Sequence, residues 1–62
     1  MITKVWLKGK TKDEDAIEYL DCVVDIPVSC NIVRVINPTK SVDGVIEAKY
    51  LMKVIARIEF RP

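Results

Sequence analysis

Apolar and polar residues alternate along the first nine positions, MITKVWLKG. Thr3, Val5 and Leu7 fall on one side of an extended chain, and Ile2, Lys4, Trp6 and Lys8 on the other. A period of two is the period of a strand, so residues 2–9 are expected to be extended. Trp6, between two lysines, is expected to be covered by packing, with an exposed stacking platform as the alternative.

The next stretch, TKDEDAIEYLDCVVD, changes period. Thr11 followed by Glu14 has the spacing of a capping box, and acids crowd the first turn, where a helix dipole favours them. Stepped at about 100° per residue, Ala16, Ile17, Tyr19, Leu20, Val23 and Val24 share one side, and Glu14, Asp15, Glu18, Asp21 and Asp25 the other. The pattern predicts an amphipathic helix over 12–24, ended by Pro27. The rival reading makes residues 16–26 a strand in a hairpin with the first. It suffers from Glu18 falling on the Leu20, Cys22, Val24 side, although CVVDI itself leans towards β structure.

CNIVRVIN is short, β-branched and bounded by Pro27 and Pro38, and predicts a buried strand over 30–37. NPTKSVDG reads as a turn punctuated by Pro38 and Gly44. From Ile46 to Phe60 every even position is apolar, while the odd positions are mostly charged, interrupted by Leu51 and Ile55. That predicts a strand over 45–60. Fifteen extended residues reach roughly 50 Å, whereas a globule of this length is only about 27 Å across. The strand must therefore bend, break near Leu51, or extend into a second subunit, where Leu51 and Ile55 would form a dimer seam. A helix over 43–53 followed by a strand is the alternative.

The expected architecture is α+β: a single domain over 1–62, in which one amphipathic helix packs on a small sheet in the order β-α-β-β. The alternative is an all-β curled sheet or small barrel. With 62 residues, half of them apolar, the core is marginal, and ordering the chain costs roughly 90 kcal/mol, which burial about balances at this size. Self-association would ease that balance. The chain starts at Met and has no repeat or low-complexity segment, and reads as a complete small reading frame.

Charge is segregated. Asp13 to Asp25 holds six acids and no base, and the rest of the chain ten bases and three acids, so a net charge of +1 hides a segment at −6 and a remainder at +7. The acids Glu14, Asp15, Glu18, Asp21 and Asp25 are candidates for a partner-binding face. Lys49, Lys53 and Arg57, four apart, with Arg61, are candidates for a basic row on nucleic-acid phosphates, with Lys8 and Lys10 nearby.

The longest uncharged run, Ile26 to Val33, is far short of a membrane span, and no signal-peptide pattern precedes it, so the cytoplasm is the expected compartment. Cys22 and Cys30, without a histidine in the chain, match no zinc spacing and are expected to be two buried thiols acting as small hydrophobes, with a disulfide as the alternative. No Walker loop, nucleophile elbow or metal cluster is present, and no histidine is available as a base near neutral pH. No enzyme activity and no cofactor are expected. These readings point to a protein-binding module, an inhibitor or adaptor of the kind carried by phages and plasmids, acting as a homodimer. Nucleic-acid binding through the basic row is the second reading.

Overall fold

The computed structural model describes all residues, 1–62, and they form six strands and two short 3-10 turns. The strands are β1 (Ile2–Leu7), β2 (Ile17–Leu20), β3 (Val23–Asp25), β4 (Ile32–Asn37), β5 (Val45–Leu51) and β6 (Ile55–Arg61). They make two antiparallel three-stranded sheets, ordered β2-β1-β6 and β3-β4-β5. The 3-10 turns lie at Asp13–Asp15 and Met52–Val54.

The helix expected over 12–24 is absent, and the α+β architecture is corrected to all-β. Its intended start is a single 3-10 turn whose cap position, Lys12, makes no side-chain cap bond. Residues 17–20 instead pair with β1, Tyr19 opposite Thr3 and Ile17 opposite Val5. Residues 23–25 pair with β4 in the other sheet, Val24 opposite Val35. Between them Asp21 has φ 55°, a left-handed conformation that turns the chain. Its backbone N–H donates to the Met1 carbonyl at 2.9 Å, which fixes the corner to the start of β1. The corner also explains why the alternation misleads. Glu18 and Leu20 lie on the same side of the first sheet as Lys4 and Ile2, whereas Cys22 is buried and Val24 shares the side of Val35. Even positions pass from outside to inside at Asp21, and a pattern that changes sides halfway imitates a helical period.

The second corner is at Met52–Val54, where the long alternating segment breaks. β5 and β6 each have seven residues, and each spans roughly 24 Å at strand rise, within the 35 Å long axis of the molecule. The chain thus moves between sheets at two corners, the usual device where strands serve two packed layers. The strands expected to share a sheet, 2–9 and 30–37, are the centres of different sheets.

The core lies between the layers. Thr3, Val5, Val33 and Val35 are each at most 2% exposed. Thr3 Oγ1 donates to the Cys22 carbonyl at 3.1 Å, and the Tyr19 and Tyr50 hydroxyls hydrogen-bond from one sheet to the other. Only eight of 62 residues are buried, and five of those are hydrophobic. Thirteen large hydrophobic residues are exposed, so more apolar side chains meet solvent than fill the interior.

Trp6 is 1% exposed although it lies on the outer side of the first sheet. The 8–16 segment covers it: its Nε1–H donates to the Lys12 carbonyl at 2.9 Å, and the Arg57 guanidinium stacks 3.9 Å from the ring centroid. Lys4, on the same side, donates to both oxygens of Asp13 at 3.3 and 3.4 Å. Arg61 reaches Asp13 at 3.3 Å and Glu59 at 2.9 Å. These contacts cover the Lys4 and Trp6 part of the outer side of the first sheet, whereas Leu20, beyond their reach on the same side, is 65% exposed.

Candidate interaction surface

The outer side of the second sheet has no such cover. Strand register arranges its side chains in rows. Val23, Ile36 and Ile46 are cross-strand neighbours; Asp25, Arg34 and Lys49 form the next row; Ile32 and Leu51 form the third, which Pro27 extends beyond the end of β3. The face is therefore striped apolar, charged, apolar. Val23 is 42% exposed, Ile46 43% and Leu51 51%. Loops at the two ends of the sheet add Val42 and Val28, both almost fully exposed.

Local chemistry holds this face in place. The β4–β5 turn begins at Asn37, whose Oδ1 accepts from the Thr39 N–H at 3.0 Å and the Thr39 hydroxyl at 2.6 Å, an Asx turn. It ends at Gly44, with φ 80°, where a Cβ would meet Ile36 Cγ2 at 3.0 Å. Glycine there lets the turn close against the middle of the apolar row. In the charged row Arg34 Nε donates to Asp25 Oδ2 at 3.0 Å, and a second guanidinium nitrogen bonds the same oxygen. Asp25 Oδ1 has no partner, and Lys49 makes no ion pair within the chain. Beside these residues lies a hollow of about 280 Å³ lined by Pro27, Cys30, Ile32, Arg34 and Lys49. Cys30 is exposed there, so of the two cysteines expected to be buried only Cys22 is, and both are free thiols.

A second cleft, of about 330 Å³, lies between the β2–β3 corner and the β4–β5 hairpin and includes Tyr19, Cys22, Asn37, Lys40 and Glu47. Lys40 is ion-paired with Glu47, which raises the lysine's pKa. Burial pushes the Cys22 thiol up, and Glu47 adds to the shift. Burial also pushes the Tyr19 hydroxyl up, reinforced by its hydrogen bond to Tyr50. Both acids stay protonated, so neither is activated as a nucleophile or base.

The candidate acidic face does not assemble as one surface. Glu14 and Asp15 lie in the first 3-10 turn; Glu18 is on the outer side of β2, opposite Lys4; Asp21 forms the corner, 3.4 Å from the N-terminal amine; Asp25 is on the other sheet, bound to Arg34. The basic residues are likewise divided by the break at Met52–Val54. Lys49 belongs to the outer side of the second sheet and Lys53 to the corner; Arg57 stacks on Trp6, and Arg61 is engaged by Asp13 and Glu59. The Lys8 N–H donates to the Val54 carbonyl at 2.8 Å, which joins the end of β1 to the corner that carries Lys53. Of the two seam residues, Leu51 projects from the open face, and Ile55 is half-buried opposite Leu7.

Sequence reasoning passed over Ile32 and Ile36 because IVRVI reads as a strand buried on both sides, and over Val23 and Ile46 because each fell on the inward apolar side of its own segment. The usable signal was Arg34 at the centre of IVRVI: a charge between two isoleucines marks one side as reaching solvent. Asp13 was missed too, although Lys4 within an apolar strand called for a carboxylate nearby.

A comparison with protein-family models, curated proteins and solved structures finds no match for this chain. No helix in the fold is long and apolar enough to cross a membrane.

Proposed function

We propose that the protein is a non-enzymatic protein-binding module that acts through the outer side of its second sheet. The observation that carries this reading is the contrast between the two outer sides: the centre of the first is covered by the 8–16 segment and its ion pairs, and the second, with no segment over it, presents apolar rows flanking a charged one. Exposed apolar side chains gathered on one sheet face are a usual signature of a protein partner, and the charged row between them would set the partner's register. The protonated Cys22 and Tyr19 are compatible with a protein that performs no chemistry.

Nucleic-acid binding is the second reading, carried by Lys8 at the end of β1 and Lys53 on the corner joined to it, neither of which has an ion-pair partner. Phosphate contacts there would give steep salt dependence.

The two readings separate in one experiment. The wild type and the variants Ile46→Lys and Lys8→Gln/Lys53→Gln are immobilised and exposed to native lysate with and without nuclease. The first reading expects nuclease-resistant protein capture that Ile46→Lys abolishes and the lysine variant leaves intact. Capture lost with nuclease or with the lysine variant, and indifferent to Ile46→Lys, supports the second and overturns the first.

A further inference from the structure

We infer that the partner for this face is a second copy of the chain, packed face to face about a two-fold axis parallel to β4. The inference rests on the reading above and specifies the occupant. Under that operation each row lies over itself while β3 and β5 exchange places. Val23 then lies over Ile46 of the second copy, Ile36 over Ile36, and Arg34 over Arg34, each guanidinium held by the Asp25 of its own chain. Asp25, with its free Oδ1, meets Lys49 of the second copy, which has no partner of its own, and the contact occurs twice. Leu51, the most exposed of the face's strand hydrophobics, comes over the Pro27 end of the third row, where the hollow beside Cys30 and Ile32 receives it. The other in-plane two-fold, perpendicular to β4, sets Asp25 on Asp25 and Lys49 on Lys49, and like charges reject it. A self-complementary surface with residue i on j and j on i is what an isologous dimer requires.

The face is small. Three strands about 4.8 Å apart and five residues long give a footprint of roughly 14 by 17 Å, well below the ~800 Å² per partner of a standard interface. The dimer is therefore weak and forms at high concentration. It also has a chemical reporter, because Cys30 lines the hollow that Leu51 fills, whereas Cys22 is buried in either state.

The test is the rate of Cys30 modification by a small aromatic disulfide reagent over a protein concentration series, with sedimentation equilibrium on the same samples. The wild-type rate is expected to fall as dimer forms, about tenfold once nine-tenths of the chain is dimeric. Leu51→Lys is expected to stay monomeric and react at the dilute rate throughout. Lys49→Asp alone is expected to be monomeric, and so is Asp25→Lys alone. An equimolar mixture of those two chains restores both charge contacts and is expected to associate. Asp25→Lys also removes the Arg34 pair, so a circular dichroism melt first establishes that this chain is folded; if it is not, Leu51→Lys and Lys49→Asp decide. A wild type that is monomeric at about 1 mM, or a dimer with Cys30 still fully reactive, overturns the inference. If that monomer still captures a protein from lysate and Ile46→Lys abolishes the capture, the face binds a different protein and only the identity of the occupant fails. If Ile46→Lys changes neither association nor capture, the proposed function fails with it.

Discussion

Replacing Trp6 by Phe tests whether the 8–16 segment covers Trp6 on the outer side of the first sheet. Phe keeps a ring between Arg57 and the segment but loses the indole N–H, which now donates to the Lys12 carbonyl at 2.9 Å. A hydrogen bond of this kind is worth about 1 kcal/mol net. The smaller ring gives up part of the area that Trp buries at 1% exposure, about 1 kcal/mol at 25 cal/mol per Å². Weaker stacking under Arg57, 3.9 Å from the indole centroid, contributes a few tenths of a kcal/mol. The expected loss is about 2 kcal/mol. For a domain of this length total stability is roughly 3–9 kcal/mol, so the urea midpoint moves by a large fraction of its value. The assay is urea unfolding followed by far-ultraviolet circular dichroism, with the slope expected to stay unchanged. A loss under about 0.5 kcal/mol would refute the reasoning, because the ring would then be exposed and the 8–16 segment detached from the sheet.

Asp21, at φ 55°, discriminates the corner from a helix: Asp21→Gly is expected to stay within about 1 kcal/mol of wild type and Asp21→Val to lose about 1–2 kcal/mol, whereas a helix would rank glycine the worse of the two in the same melts. The Lys4 amine, through its hydrogen bond and its charge, holds the Asp13 carboxyl below its ordinary 3.8. A folded pKa below the unfolded one gives stability that is present above 3.8 and lost as pH falls through the folded value, so the urea-midpoint difference between wild type and Asp13→Asn should shrink over that range; a difference independent of pH would contradict it. Tyr19 is raised above its ordinary 10 by burial and by the Tyr50 hydroxyl, so stability should fall as pH rises past 10 and ultraviolet titration should show one tyrosine ionising late, both effects reduced in Tyr50→Phe.

Strand structure in residues 2–7 and 32–37 and the turn at 38–44 were legible in the sequence, because each keeps one side inward throughout. Length required the 45–60 segment to bend, break near Leu51 or enter a second subunit, and Leu51 and Ile55 pointed to the last, whereas the chain breaks at Met52–Val54. The 12–24 segment was not legible. Its inward side reverses at Asp21; Asp13, which suits a helix start, is here the Lys4 and Arg61 partner, and Asp21 and Asp25, unfavourably placed at a helix end, serve in an N-terminal ion pair and as the Arg34 partner. The candidate surface was half visible. Leu51 and Lys49 stood out as an intruder and a cation, but Val23, Ile36 and Ile46 lie on three different strands, and only the register brings them together. The expected basic row failed to assemble for the converse reason: spacing of four holds a row only while the strand is unbroken.

The most direct test of the account is the backbone amide spectrum of the ¹⁵N-labelled wild type recorded from about 10 µM to about 1 mM, a span that brackets weak association. The account predicts concentration-dependent shifts at Val23, Asp25, Cys30, Ile36, Ile46, Lys49 and Leu51, with Lys4, Trp6 and Arg57 on the first sheet unchanged. A spectrum invariant over that range would contradict it, as would shifts confined to Trp6, Arg57 and the 8–16 segment.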